Sequence, residues 1–345
     1  MQYERTSPVS QEANWLIGGG EMGQLIRETD WSQTSLGAME FWSPSLRMMV
    51  RFLLANRFPM LLWWGPQFIQ IYNDAYRPVL GAKHPYPGLA RPVSECWSEI
   101  WHILQPLIET PFKGGPPTWM EDIPLEINRY GFVEETHFTI AYSPVPDETM
   151  PNGIGGVLAT VHEISEKVVG QRRIVLLRDL STRAVEAKSA ADACAVAAAT
   201  LSKYPLDVPF SLLYLIDIDG QRAQLASTSG IGEQSNINPQ VIELGKEASA
   251  MRTWPLGRVV QTEDLQVIED LAGHFGAAIP QGPWSDPPRQ AVVAPIRSNT
   301  PHQLAGMLIV GVSARLRFDD PYRSFIELAV GQISTAIANA RAYEE

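Results

Sequence analysis

The sequence predicts an α+β fold in two domains, each an antiparallel sheet flanked by helices, with a long helix joining them. Three observations support this. The chain of 345 residues is long enough for about two domains. Short apolar runs typical of strands fall into two groups, before residue 163 and after residue 209. Between them, residues 165–203 have helical apolar spacing and become rich in alanine.

The first domain is preceded by a lead segment, residues 1–45, with one short helical stretch at 22–28. Apolar runs at 59–64 and 68–72 predict two strands, and the turn pair Gly65-Pro66 between them predicts a hairpin. We assign the domain itself to residues 46–165.

Helices are expected after this hairpin. A short one begins at Asn73 and ends near Gly81, and a longer one is capped by Ser94 and kinked at Pro106. The longer helix has apolar residues at helical spacing: Trp97, Ile100, Trp101, Leu104, Leu107 and Ile108. Three strands follow, at 119–127, 133–143 and 154–162. Two strands, helices and three strands predict an antiparallel sheet with helices on one face.

A linker helix is predicted at 166–184 and the second domain at 185–345. Its strands are predicted at 210–217, 222–228, 265–268, 291–296 and 304–312, with a helix at 241–251. A last helix starts near Pro321 and has no end signal before Glu345, so we expect the natural chain to continue.

The last helix contains apolar residues spaced by four, three, four and three: Ile326, Val330, Ile333, Ile337 and Ala340. This spacing is typical of a coiled-coil seam. We therefore expect a parallel homodimer. The alternative is that the same side chains pack on the domain's own sheet.

Composition excludes several classes of protein. The net charge of −11 disfavours nucleic acid as a partner. No apolar run reaches 18 residues and no signal peptide is evident, so we expect a cytoplasmic protein without membrane insertion. The two cysteines, Cys96 and Cys194, lie far apart in the sequence, and we expect neither a disulfide nor a metal site.

Catalytic motifs are weak or absent. Residues 18–23 match GxGxxG but lack the βαβ unit that a dinucleotide site needs. The triplet at 162–164 starts like a phosphoacceptor box but continues differently. Phosphate-binding and nucleophile-elbow motifs are missing, so we expect no catalytic activity in this chain.

The residues of the first domain resemble a PAS domain. Tyr72-Asn73-Asp74-Ala75-Tyr76 with Gly81 is similar to the start of that fold. Glu163, Ile164 and Ser165 take the place of the Asp-Ile-Thr triad that often joins a PAS core to its output helix. The resemblance implies that these three residues transmit the signal.

Residues 173–345 resemble a GAF domain. The matching features are the Ala-rich first helix and the segments 211–217, 254–257, 291–296 and 304–311. The lead segment contains Gly20-Glu-Met-Gly23, Asp30-Trp31 and Leu36-Gly37, and with these residues it is similar to the N-terminal region of bacterial multidomain sensor histidine kinases. This resemblance implies an input module of a two-component phosphorelay, with a downstream kinase domain as its partner. A cyclase, cyclic-dinucleotide enzyme or phosphatase as output, and a ligand-free dimerisation scaffold, stay open.

Aromatic residues are the candidates for a ligand pocket, with a few neighbours: Trp63, Asn73, Tyr76, Trp97, Trp101, Phe138, Tyr214 and Trp254. They suit a ring-bearing small molecule, or a well-filled core. The cofactor is left unknown, and no covalently bound one is expected. Cys96 lacks the sequence context of a photoreactive cysteine, and His84 is interpreted as a loop histidine rather than a haem ligand.

Overall fold

The computed structural model describes residues 15–232, 237–245, 254–276, 279–300 and 302–344. By its contacts the chain divides into two compact units, Met1–Glu166 and Lys167–Glu345, here called unit 1 and unit 2. Within the described ranges, every helix is too short or too polar to cross a membrane.

Unit 1 contains a five-stranded antiparallel sheet. Its strands are β1 (Met60–Trp64), β2 (Ile69–Tyr72), β3 (Thr118–Asn128), β4 (Val133–Pro146) and β5 (Ile154–Glu163). They lie in the order β2-β1-β5-β4-β3. The predicted hairpin is confirmed, with Leu61 opposite Tyr72 and Trp64 opposite Ile69. The three later strands are confirmed to within a few residues of their predicted ends.

The helices of unit 1 differ more from the prediction. They are α1 (Gly20–Glu28), α2 (Pro44–Ala55), α3 (Arg77–Leu80), α4 (Val93–Cys96) and α5 (Trp101–Phe112). Helix α2 was not predicted. The single helix predicted after Ser94 is two helices, and Ser94 lies inside α4 rather than capping it. The break follows Cys96, whose carbonyl oxygen accepts a hydrogen bond from Lys83 Nζ at 2.5 Å.

Asn73 joins α2 to the sheet. Its side-chain amide donates to three backbone oxygens, those of Leu53, Asn56 and Phe58, at 2.8–3.3 Å. Its side-chain oxygen accepts from the backbone N–H of Met60 and Tyr76. Asn73 is 1% exposed. It therefore holds the α2 terminus and the short helical segment after β2 in one arrangement.

The glycine motif of the lead segment serves packing. The backbone N–H of Met22, in the first turn of α1, donates to Asp74 Oδ1 at 3.1 Å. Gly20 has a φ of 64°, and a Cβ there would lie 2.0 Å from Asp74 Oδ2. The start of this helix is thus capped by the protein's own carboxylate. A phosphate could not occupy the same position.

Unit 2 contains a six-stranded antiparallel sheet. Its strands are β6 (Ser211–Ile216), β7 (Arg222–Ser229), β8 (Val241–Glu243), β9 (Gln266–Ile268), β10 (Ala291–Arg297) and β11 (Leu304–Gly311), in the order β8-β7-β6-β11-β10-β9. Strand β8 corrects the helix predicted at 241–251. Ile242 pairs with Ala223 of β7, so the backbone hydrogen bonds go to the sheet. Residues 246–251 of that prediction lie outside the described ranges.

The helices of unit 2 are α6 (Ser165–Arg183, which starts in unit 1), α7 (Ala190–Leu201), α8 (Leu256–Thr262), α9 (Leu271–Phe275) and α10 (Asp320–Glu344). The helical stretch predicted at 165–203 is divided in the structure, with α6 ending at Arg183 and α7 beginning at Ala190. Ser189 caps α7 by accepting a hydrogen bond from the backbone N–H of Asp192. Helices α8 and α9 were not predicted.

The predicted coiled-coil seam of α10 lies inside unit 2. Its five side chains belong to one buried cluster with α7 and the sheet, and they are 0–7% exposed: Ile326, Val330, Ile333, Ile337 and Ala340. The seam prediction is therefore wrong about the surface involved, because these side chains already fill the core of their own unit. The alternative, packing within the domain, is what the structure has.

Candidate functional site

Unit 1 encloses a small cavity between its sheet and helices. Aromatic and aliphatic side chains line it: Trp63, Tyr76, Val79, Trp97, Ile100, Leu104, Leu125, Ile127, Phe138, Ile140, Tyr142 and Val161. Its volume is about 30 Å³. One water needs about 10–15 Å³ on this measure, whereas a cavity that binds benzene has about 150 Å³. The space therefore fits about two waters, and a ring-bearing ligand requires side chains to move.

Four of the predicted pocket residues, Trp63, Tyr76, Trp97 and Phe138, line this cavity. The other unit 1 candidates do not. The side chain of Asn73 is hydrogen-bonded to backbone groups. Trp101 is half-buried, and its ring centroid lies 6.4 Å from that of Phe68.

Sequence reasoning missed the other lining residues. One of these is Tyr142, which lies in the strand predicted at 133–143. Its alternation with Phe138 and Ile140 along β4 was the available signal, since all three face the same side.

The cavity carries phenol groups but no charged side chain among its lining residues. Tyr142 is 3% exposed, and no residue in the described ranges hydrogen-bonds its hydroxyl. Burial raises the pKa of Tyr142 well above its ordinary value. Burial also raises the pKa of Tyr76, and this effect outweighs that of a hydrogen bond with Trp97, which lowers the pKa. Both phenols are therefore neutral, and the surroundings suit an uncharged occupant with one hydrogen-bonding atom.

A polar chain begins at the cavity wall. Lys83 Nζ lies 4.5 Å from the ring centroid of Trp97, a cation–π distance, and 2.6 Å from Glu99 Oε1. The same Glu99 oxygen accepts a hydrogen bond from the backbone N–H of Asn128 at 3.2 Å. Asn128 precedes Arg129 in the sequence. The cavity wall is thus linked to the loop between β3 and β4.

Arg129 and Glu163 form a two-pronged ion pair, called here the junction clamp. The two guanidinium Nη atoms of Arg129 donate to the two Glu163 oxygens at 2.8 and 2.7 Å. Arg129 Nε also contacts Glu134 at 3.3 Å. Burial alone would raise the pKa of Glu163, but Arg129 and Ser165 outweigh it and hold that pKa below its usual value. Glu163 is therefore ionised at neutral pH.

The residues after Glu163 are tied to strand β4. Ser165 Oγ donates to Glu163 Oε1 at 2.9 Å and accepts from the backbone N–H of His137 at 3.0 Å. The backbone N–H of Ile164 donates to the His137 carbonyl oxygen at 2.8 Å. Helix α6 begins at Ser165. The clamp thus fixes the start of α6, and Arg129 is the partner that sequence reasoning missed.

The predicted pocket residues of unit 2 are core residues. Tyr214 is fully buried, and its hydroxyl donates to the Pro239 carbonyl oxygen at 2.8 Å. Trp254 is 1% exposed, and its Nε1–H donates to the Ile237 carbonyl oxygen at 2.6 Å. The Trp254 ring also packs on Phe275 with centroids 4.4 Å apart. Both polar groups are satisfied by backbone, so neither is free for a ligand.

The two cysteines are buried, and His84 contacts a tyrosine hydroxyl. Burial raises the pKa of Cys96 to about 11 and that of Cys194 to about 12, so both thiols are protonated at neutral pH. His84 Nδ1 lies 2.8 Å from the Tyr72 hydroxyl, and burial lowers the histidine's pKa. Among the residues that the structure describes, no group of three or more His, Cys, Asp or Glu side chains is placed to hold a metal ion.

No family model matches the sequence, and no curated protein matches it. The chain is similar to the solved GAF domain of a phosphoenolpyruvate-protein phosphotransferase from Acinetobacter (19% identity, 49% of this chain and 94% of that chain, TM-score 0.36). It is similar to the GAF domain of the corresponding Coxiella burnetii protein (18%, 50% and 96%, 0.38). It is also similar to the solved structure of free methionine-R-sulfoxide reductase from Neisseria meningitidis in complex with its substrate (16% identity, 48% of this chain and 89% of that chain, TM-score 0.36).

Proposed function

We propose that the chain is a sensory input module, with a PAS domain in unit 1 and a GAF domain in unit 2. Its output is the kinase domain of a bacterial two-component sensor, and the chain performs no catalytic step of its own. The observation that carries the proposal is the polar connection from the cavity wall to the start of α6. The sheet order β2-β1-β5-β4-β3 supports the PAS assignment of unit 1.

The junction clamp gives this module a two-state element. With Arg129 paired to Glu163, the start of α6 is held against β4. Without that pairing, Glu163 would carry an unpaired charge, and Ser165 would lose one of its two anchors. A signal must favour one of these arrangements by differential affinity, and such couplings are about 1–3 kcal/mol.

The cavity gives unit 1 a reason to change shape. It has room for about two waters, so a larger ligand must displace a lining side chain. Trp97 is the lining residue that also contacts Lys83. Its displacement would disturb the bond between Lys83 and Glu99, and so the loop that carries Arg129.

Helix α6 is anchored in unit 2 as well. Arg172 Nε and Arg173 Nε lie 2.5 and 3.0 Å from the carboxylate of Asp207, which is 0% exposed. The guanidinium of Arg173 lies 4.1 Å from the ring centroid of Tyr322 in α10. Helix α6 therefore has anchors of its own inside unit 2, at Arg172 and Arg173.

A chimaera tests the proposal. This chain, joined after residue 344 to a histidine kinase catalytic core, is compared with the same protein carrying Arg129→Gln. We expect the substitution to change the autophosphorylation rate about fivefold or more, the effect of about 1 kcal/mol of coupling. Arg91→Gln, in an exposed pair with Glu95, should leave the rate unchanged. Equal rates in all three proteins would contradict the proposal.

A second candidate is a ligand-free scaffold, which the small cavity volume favours. Native mass spectrometry of the purified chain separates the two candidates. A sensor that captures its ligand in the cell shows a stoichiometric added mass. Leu125→Trp should abolish this added mass, because the larger side chain fills the cavity. A scaffold shows none and keeps its kinase output after that substitution.

A further inference from the structure

A groove lies on the outer side of helix α2, away from the polar contacts that link the cavity wall to the start of α6. Six residues line it, and they mix cations with apolar side chains: Trp15, Pro44, Arg47, Met48, Arg51 and Phe52. Its volume is about 560 Å³. Pockets that bind small molecules have volumes of about 300–1,000 Å³. The groove is therefore large enough to receive several side chains.

Large apolar side chains are exposed along this helix. Met48 is 63% and Phe52 is 52% exposed, four residues apart on one helix face. Just beyond the two ends of α2, Phe41 is 79% and Phe58 is 70% exposed. Exposed apolar patches on a soluble protein often mark sites of interaction with a protein or a membrane.

The same surface is cationic in an acidic protein. Residues 41–73 contain three arginines, Arg47, Arg51 and Arg57, and no Asp or Glu, although the whole chain carries −11. In the described part of the chain, neither Arg51 nor Arg57 has an ion-pair partner. These charges are therefore available to an anionic partner.

Two hydrogen-bond donors of the groove lack acceptors. Trp15 Nε1 and Arg47 Nε are buried and have no hydrogen-bond partner among the described residues. A buried donor left unsatisfied costs about 1–3 kcal/mol. The groove thus presents donors and positive charge, and its lining contains no carboxylate.

We propose that this groove binds an acidic amphipathic segment of a partner polypeptide. Its carboxylates accept hydrogen bonds from Arg47, Arg51 and, after a small reorientation of the indole, Trp15. Its apolar side chains pack on Met48 and Phe52. A second copy related by a two-fold axis would bring arginine against arginine, which disfavours self-association through this groove.

Fluorescence titration of the whole chain with synthetic peptides tests this proposal. The probe is an amphipathic helical peptide of about 15 residues with leucine on one face and glutamate on the other, at about 0.15 M salt. The control peptide has glutamine in place of glutamate. We expect the glutamate peptide to bind about tenfold more tightly than the control peptide, and Arg51→Glu or Phe52→Ser to weaken it about tenfold.

Arg258→Glu is the matched control variant, because Arg258 is also an exposed helical arginine, on α8. It should leave the affinity unchanged. Equal binding of the two peptides, or equal loss in the two arginine variants, would overturn the proposal. So would self-association that Arg51→Glu abolishes, or binding to vesicles of about one-third phosphatidylserine in place of the peptide.

Discussion

Removing Arg129 should destabilise unit 1 by about 3 kcal/mol. Its guanidinium makes two hydrogen bonds to Glu163 and contacts Glu134, and its side chain is 9% exposed. Breaking a buried ion pair by deleting one partner costs about 3–5 kcal/mol, since the other charge stays buried. Glu163 is 29% exposed and regains some water, so the lower end of that range applies.

Urea unfolding followed by tryptophan fluorescence measures this change. Eight of the ten tryptophans, from Trp15 to Trp119, lie in unit 1, so the signal reports mainly that unit. With a slope of about 2 kcal/mol per molar urea, Arg129→Ala should lower the midpoint of unit 1 by about 1.5 M. The far-ultraviolet spectrum in water should be unchanged, because the strands themselves are retained.

Arg91→Ala is the matched control. Arg91 and Glu95 form an ion pair in which both side chains are 44% exposed, and such pairs contribute about 0–1 kcal/mol. If Arg129→Ala lowers the midpoint no more than Arg91→Ala does, the buried clamp is not a stabilising element and the reasoning fails.

Three further predictions concern acid, a buried carboxylate and the thiols. The junction clamp lowers the pKa of Glu163, so the stability that it contributes is present above the pKa of Glu163 in the unfolded chain, about 4.3, and is lost as the pH falls. The difference in unfolding free energy between the wild type and an Arg129→Ala variant should therefore shrink at pH 3.5. Asp207→Asn should destabilise unit 2 by about 3 kcal/mol, seen as faster amide exchange in β10 and β11, whereas unchanged exchange there would show that Arg172 and Arg173 tolerate its loss. Both cysteines should resist iodoacetamide in the folded chain at pH 8 and react in urea, and rapid labelling without denaturant would contradict their burial.

The strands were predictable because their signal is local. The alternation of buried and less buried side chains along β4, and the turn pair before β2, each involve only a few consecutive residues. The unpredicted α2 shows the opposite case. Its outer face mixes Arg51 with the exposed apolar residues Met48 and Phe52, so apolar residues lie on both faces of the helix and the pattern does not single out one buried stripe.

The site was harder to predict because it depends on distant contacts. The triplet at 163–165 was singled out from its sequence, but Arg129 lies 34 positions before Glu163, and nothing local connects the two. The apolar spacing in α10 predicted an exposed seam for a related reason. One helical face serves a domain core and a coiled coil equally well, and only the fold shows which surface covers it.

Hydrogen exchange along α6 tests most directly the claim that unit 1 controls the start of this helix. Peptides covering residues 164–172 are compared between the wild type, Arg129→Gln and Arg91→Gln, with β10 and β11 as an internal reference for unit 2. We expect Arg129→Gln to speed exchange in 164–172 about tenfold or more, while the reference strands and the control variant stay unchanged. Equal exchange of 164–172 in all three proteins would contradict it.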